Sequence, residues 1–252
     1  MQKWIAFGMV MLLAASRTTS AQELVPATYV IVPGMWSGGW DWRTVDSSLT
    51  LQGHRVYRIT LTGLGERIHL ASPNIGLATH IDDVVNTIIW ERLSNVILVG
   101  HSYGGMVISG VADRIPDRIR RLVYIEAFVP ESGESVERIV GPGFRNLVGA
   151  NTRDGQIHAP WVPPVSPLPK ESPHPHRTFT DTLALTNAAA RVLPATYVLT
   201  IEKGTDAASD GFAPFAARAS ARGWTVHRME GDHTPHRSAP EALVRLLTAA
   251  AR

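Results

Sequence analysis

The sequence predicts an α/β fold: a mostly parallel sheet with helices on both faces and one inserted cap. Three observations predict it. From Thr28 onward, short β-branched runs alternate with longer helical patterns. The most strand-like segment, 95–99, is continuously apolar from Val96 and stops at Gly100. One stretch breaks the alternation: nine of the seventeen prolines lie between Pro130 and Pro175.

The elements follow in order. An apolar run at 29–32 ends at Pro33-Gly34, and a second strand-like run, at 55–61, ends at Thr62-Gly63-Leu64-Gly65. Between 78 and 92, Ile81, Val84, Val85, Ile88 and Ile89 recur at helical spacing. The strand at 95–99 leads into a buried, small-residue-rich helix at 103–115, ended by Pro116. Strands are expected at 122–125, 196–201 and 224–229, and an amphipathic helix over 239–250 closes the chain. Proline at the density seen between the fourth and fifth strands disfavours regular sheet and shortens helices. That stretch nevertheless carries Phe144, Leu147, Trp161, Val162 and Leu168, which a solvated linker would not need. It reads as a cap over about 129–190.

A chain of 252 residues supports one sizeable core. Residues 1–21 stand apart from it. Lys3 gives a positive start, 4–15 is apolar and uncharged, and Thr19-Ser20-Ala21 offers a small-residue cleavage site. This is the pattern of a secretory signal peptide, too short for a comfortable membrane span. The expected product is a mature domain over 22–252, secreted or periplasmic, with no stable membrane anchor.

Cleavage would remove Lys3 and Arg17 and leave 22 residues of each sign, so the formal +2 falls to zero. With no basic run and no interleaved aromatics, nucleic acid is not an expected partner. The absence of cysteine excludes disulfides, thiolate metal sites and cysteine nucleophiles.

Gly100-His101-Ser102-Tyr103-Gly104 is G-x-S-x-G between the best strand and a helix. Only small residues two before and two after the serine avoid clashes at so sharp a turn. The turn lifts Oγ out of the sheet beside a helix N-terminus, whose free N–H groups favour developing negative charge. Ser102 is therefore the candidate nucleophile. The loop after the first strand, Pro33-Gly34-Met35-Trp36, would supply the second half of an oxyanion hole, with the amides of Met35 and Tyr103 as donors. Of ten histidines, His233 follows the last strand in Gly231-Asp232-His233 and could reach back to Ser102. His236 is the alternative base. His174 and His176 in the cap could at most line the entrance.

These residues carry a resemblance. The segment 32–40 (VPGMWSGGW) is similar to H-G-A-W-x-G-G-W of the α/β-hydrolases that include plant methyl esterases and hydroxynitrile lyases. Thr62-Gly63-Leu64-Gly65-Glu66-Arg67, GHSYGG at 100–105 and the His233 to Pro240 spacing resemble bacterial members of that group. The resemblance implies an eight-stranded fold, a serine triad and no cofactor. Pro33 departs from it, standing where the family usually has histidine.

The family's usual acid follows the strand before the last, where this chain has Ile201-Glu202-Lys203-Gly204. Lys203 cannot serve. Asp206 and Asp210 lie a little further on and remain candidates. Glu126 is the other, ending the strand after the nucleophile helix, twenty-four residues beyond Ser102. A carboxylate there must be desolvated, and an imidazolium would partner it. Some α/β-hydrolases, haloalkane dehalogenases among them, carry their acid on this strand.

The reading is a serine esterase working on a small-molecule ester through an acyl-enzyme, with Ser102, His233 and Glu126 as its triad. Trp36, Tyr103, Trp161 and Phe179 are candidates for an apolar pocket. A homodimer is compatible with it. Two alternatives stay open: a hydroxynitrile-lyase-like C–C lyase, which typically adds a lysine, and a non-catalytic small-molecule-binding protein on the same fold. Lys170 and Lys203 are the mid-chain lysines.

Overall fold

Strict alternation along the central strands gives one sheet two apolar faces. A computed structural model describes residues 26–251, apart from Pro164; the expected signal segment 1–21 lies outside the described residues. In chain order the first half comprises β1 (Thr28–Val32), α1 (Arg43–Leu51), β2 (Arg55–Arg58), α2 (Leu77–Trp90), β3 (Val96–His101), α3 (Gly104–Arg114) and β4 (Ile119–Ile125). An excursion follows, through α4 (Val136–Ile139), α5 (Pro142–Ala150), β5 (Thr152–Arg153), β6 (Gln156–Ile157), β7 (His174–Pro175), α6 (Arg177–Thr180) and α7 (Ala188–Arg191). The chain returns through β8 (Ala195–Ile201), α8 (Ala213–Ala221), β9 (Thr225–Glu230), α9 (Pro235–Ser238) and α10 (Pro240–Ala250).

The main sheet has the order β2-β1-β3-β4-β8-β9, and every pairing in it is parallel. Val30, Val32, Val96, Leu98, Leu122 and Tyr124 face one core, shared with Val84 and Ile88 of α2, Val107 and Val111 of α3 and Phe215 of α8. The intervening Tyr29, Ile31, Ile97, Val99, Val123 and Ile125 face the other, against Val45 and Leu49 of α1 and Leu243, Val244 and Leu247 of α10. Period-two strands between two helical layers bury both faces. Parallel order then leaves the strand C-termini together on one edge. Strand order reverses between β1 and β3, and the crevice beyond such a reversal is where open α/β sheets bind ligands.

Two expectations need correction. The resemblance implies eight strands, whereas the main sheet has six among the described residues, because the described chain enters it directly at the interior strand β1. The proline-rich stretch also holds regular sheet: β5, β6 and β7 pair antiparallel. Pro175 is tolerated because β7 lies at the edge of that small sheet, where a missing N–H donor costs no ladder bond. Among the described residues, no helix is long and apolar enough to cross a membrane.

Candidate active site

The turn after β3 forces Ser102 to φ +53°, in the left-handed region. Its amide donates to the Ile125 carbonyl and its own carbonyl accepts from Phe128 N–H, both at 3.1 Å, so β4 clamps the turn. Glycine is required on either side. A Cβ on Gly100 would sit 2.7 Å from the Gly104 carbonyl oxygen, and one on Gly104 would sit 2.5 Å from that of Val32. A Cβ on Gly105 would strike the Phe128 carbonyl.

The loop after β1 closes on this elbow: a Cβ on Gly34 would lie 3.0 Å from Ser102 Cβ. Met35 and Trp36 follow, and Trp36 too is left-handed, at φ +63°. Glu126, just past β4, is a third such residue at this site, at φ +44°; Arg92, Asn95 and Asp154 are the others among the described residues. Non-glycine residues held there each cost about 1–3 kcal/mol and gather at functional sites. Here Ser102, Trp36 and Glu126 stand beyond the ends of three adjacent strands. Among the described residues, no hydrogen bond engages the amides of Met35 and Tyr103.

His233 comes from the loop between β9 and α9. Its Nε2 lies 3.1 Å from Ser102 Oγ, and its Nδ1 lies 3.5 Å from Glu126 Oε2. His233 is held through its ring and its backbone. Phe212 stacks on it with centroids 4.7 Å apart and planes 18° apart, and His101 Nε2 donates to the His233 carbonyl at 2.7 Å. Burial above all, then His236 and His233 nearby, pushes His101 well below the usual histidine pKa, so it acts here as a neutral donor.

Glu126 is 1% exposed. Oε1 accepts the Thr200 amide at 2.6 Å, while Oε2 has no hydrogen-bond partner within ordinary range and faces His233. Burial raises its pKa above the carboxylate norm, against the opposing pull of His233 and the Thr200 amide. A buried oxygen with one unmet bond, aimed at an imidazole nitrogen, is poised to hold an Nδ1–H.

The other candidates are engaged elsewhere. Asp206 accepts from Ala208 N–H at 3.1 Å and Asp210 from Phe212 N–H at 2.7 Å, so both carboxylates close their own loop. His236 stacks on Trp42 at 4.3 Å and meets Asp41 Oδ2 at 3.0 Å through Nε2. Burial alone would raise the Asp41 pKa, but hydrogen bonds from His236, Arg237 and Ser37 outweigh it and hold the carboxyl well below the usual range. Among the described residues, no cluster of three or more His, Asp or Glu could hold a metal ion.

A cavity of about 870 Å³ opens over Ser102 and His233. Trp36, Phe144 and Trp161 wall one part of it, and Phe128, Phe212 and Phe215 another. Phe179 is a correction. It lies in the core beneath the cap, its ring 6.2 Å from Phe144, because the short α6 turns it inward, away from the cavity. Phe128 and Phe212 were not legible as site residues. The available signal was their position, two residues beyond Glu126 and two beyond Asp210. His174 is likewise not an entrance residue; it is fully buried at the base of the cap.

The profile of the Alpha/beta hydrolase family matches residues 29–246, which span both site-bearing halves of the sheet. The chain belongs to that family. Over 133 residues it is 50% identical to the carbendazim hydrolyzing esterase of a Nocardioides species, covering 53% of this chain and 54% of that protein. Over 144 residues it is 30% identical to salicylic acid-binding protein 2 of Nicotiana tabacum, covering 56% and 54%. The chain thus spans about half the length of the curated relatives it matches. Among solved structures, it is similar to an extracellular alpha/beta-hydrolase from a Paenibacillus species. The TM-score is 0.76 at 26% identity, over 90% of this chain and all of that one.

Proposed function

We propose that this family member is a serine hydrolase that cleaves carboxylic esters through an acyl-enzyme. The observation that carries the reading is the row Ser102 Oγ, His233 Nε2 and Nδ1, Glu126 Oε2, with spacings of 3.1 and 3.5 Å. His233 takes the Oγ proton as Ser102 attacks the ester carbonyl. The amides of Met35 and Tyr103 receive the oxyanion, and Glu126 keeps the Nδ1 tautomer and stabilises the imidazolium. His233 then protonates the leaving alcohol. Water enters along the same path, gives a proton to His233 as it attacks the acyl carbon, and His233 returns that proton to Ser102 Oγ as the acid leaves. The names of the relatives, esterases among them, support this chemistry. The test is turnover of p-nitrophenyl acetate with a pre-steady-state burst. A binding protein would show neither. A lyase would release cyanide from mandelonitrile, but neither Lys170 nor Lys203 lines the cavity.

The leaving oxygen must sit beside His233 Nε2, so the group attached to it rests against Phe212, which stacks on that ring. Phe128 and Phe215, with centroids 5.3 and 5.8 Å from Phe212, extend the wall. This favours esters of aromatic alcohols. Phe212→Ala should lower kcat/KM for a phenyl ester about tenfold, the worth of one aromatic pair. The methyl ester of the same acid should change by less than about threefold, its alcohol being too small to touch the wall. Equal losses on both esters would mean that Phe212 serves only His233.

Export is part of the same proposal. N-terminal sequencing of protein recovered from a secreting host should begin at Gln22. A chain still starting at Met1 and partitioning with membranes would exclude a cleaved signal.

A further inference from the structure

The loop that carries Met35 is strained, and what holds it is the cap. All of the Trp36 hydrogen bonds described go there. Its N–H donates to His174 Nδ1 at 3.3 Å and its indole Nε1–H to the Ile157 carbonyl at 2.9 Å. Its carbonyl accepts Ser172 N–H at 2.8 Å. Left-handed at φ +63°, Trp36 has no local reason to stay in this conformation, so these distant partners impose it.

His174 occupies the centre of the arrangement, and its bonds assign its tautomer. Nδ1 accepts from Trp36, so the proton sits on Nε2 and points to Thr178 Oγ1 at 2.8 Å. The Thr178 hydroxyl in turn donates a hydrogen bond to the Pro175 carbonyl at 2.7 Å. Burial first, then His80, holds the His174 imidazole well below its usual pKa, which keeps the Nδ1 lone pair available. The ring also packs edge-on against Tyr103 at 4.9 Å, and the Tyr103 hydroxyl pairs with His80 Nδ1 at 3.0 Å. His174 therefore touches both residues adjoining the oxyanion site, one by a hydrogen bond and one by ring packing.

We propose that His174 is a positioning residue: by accepting the Trp36 N–H it fixes the Met35–Trp36 turn, so that the oxyanion hole is complete only when the cap is seated. The proposal rests on the esterase reading above, with the Met35 amide as a donor. A donor displaced by about an ångström loses most of its effect, and losing one outright costs about 10²–10³ in rate.

Two variants separate positioning from packing. His174→Phe keeps the ring and loses the acceptor; His174→Asn loses the ring and presents Oδ1 near the place of Nδ1. On p-nitrophenyl acetate, His174→Phe should lower kcat about tenfold to hundredfold with KM within about threefold, because the ground state does not use the oxyanion donors. His174→Asn should recover most of the rate. Phenylboronic acid, which forms a tetrahedral adduct on a serine, should lose affinity for His174→Phe in step with kcat. Hydrogen exchange at the Trp36 amide reads the loop without turnover, and should quicken in His174→Phe and stay near wild type in His174→Asn. If His174→Phe fails to fold, Thr178→Val, which unlocks the tautomer, should show the same kcat-only loss in milder form.

A His174→Phe enzyme with wild-type kcat, or a His174→Asn enzyme as slow as His174→Phe despite a protected Trp36 amide, overturns the proposal. A wild-type protein inert towards p-nitrophenyl acetate and phenylboronic acid would overturn the esterase reading instead. The exchange rates would then decide alone whether His174 holds the loop.

Discussion

Ser102→Ala is expected to abolish ester hydrolysis, with a fall in kcat of about 10⁴–10⁶, while the far-UV circular dichroism spectrum and Tm stay nearly unchanged. The proposed nucleophile is lost, but the fold does not depend on its hydroxyl. The elbow is held by backbone bonds to the Ile125 carbonyl and from the Phe128 amide and by the close approaches at Gly100 and Gly104. Alanine at φ +53° carries the same backbone strain as serine. Ser102→Gly should therefore be equally inactive yet melt at a higher temperature than Ser102→Ala, since glycine adopts this conformation freely. More than a tenth of the wild-type rate surviving in either variant would remove Ser102 from the mechanism. A glycine variant that melts lower would show that the turn is not a strained one.

The sheet and the row of side chains at its edge were largely legible, for a physical reason. Strands buried on both faces must be apolar, so 96–99 announces itself, and G-x-S-x-G after it marks the one turn where Gly100 and Gly104 have no room for a side chain. Glu126 was readable because a carboxylate ending an apolar strand needs a partner, and parallel order puts that strand end beside the histidine loop. What the chain concealed lies in long-range packing. Nothing local says that Phe179 turns into the core while Phe212 covers His233; one sits in the four-residue α6 and the other just before α8, where tertiary contacts decide direction. His174 is the sharpest case. Flanked by Pro173 and Pro175 it reads as a loop residue, and only its pairing with a residue 138 positions away shows otherwise.

Glu126→Gln should lower kcat by about 10⁴, the size of comparable acid-to-amide changes in serine triads, because an amide can neither stabilise the imidazolium nor enforce the Nδ1–H tautomer. Asp206→Asn and Asp210→Asn should each cost less than about tenfold, their carboxylates being committed to Ala208 and Phe212 N–H groups in their own loop. Stability should move in the opposite sense. Burial raises the folded pKa of Glu126 above its unfolded value, so the folded state binds this proton more tightly than the unfolded chain does. The contribution is fully present below the unfolded value of about 4.3 and is lost as pH rises through the folded value, so the ionised carboxylate weighs against the fold at neutral pH. Glutamine keeps an oxygen for the Thr200 amide and carries no charge to desolvate. Glu126→Gln should therefore unfold at a higher denaturant concentration than wild type at pH 7, with the gap closing towards pH 4. The two measurements answer different questions. Loss of rate with gain of stability identifies a buried carboxylate kept for catalysis at a structural cost. Full activity in Glu126→Gln together with inactivation in Asp206→Asn or Asp210→Asn would return the acid to the family's usual place after the strand before the last.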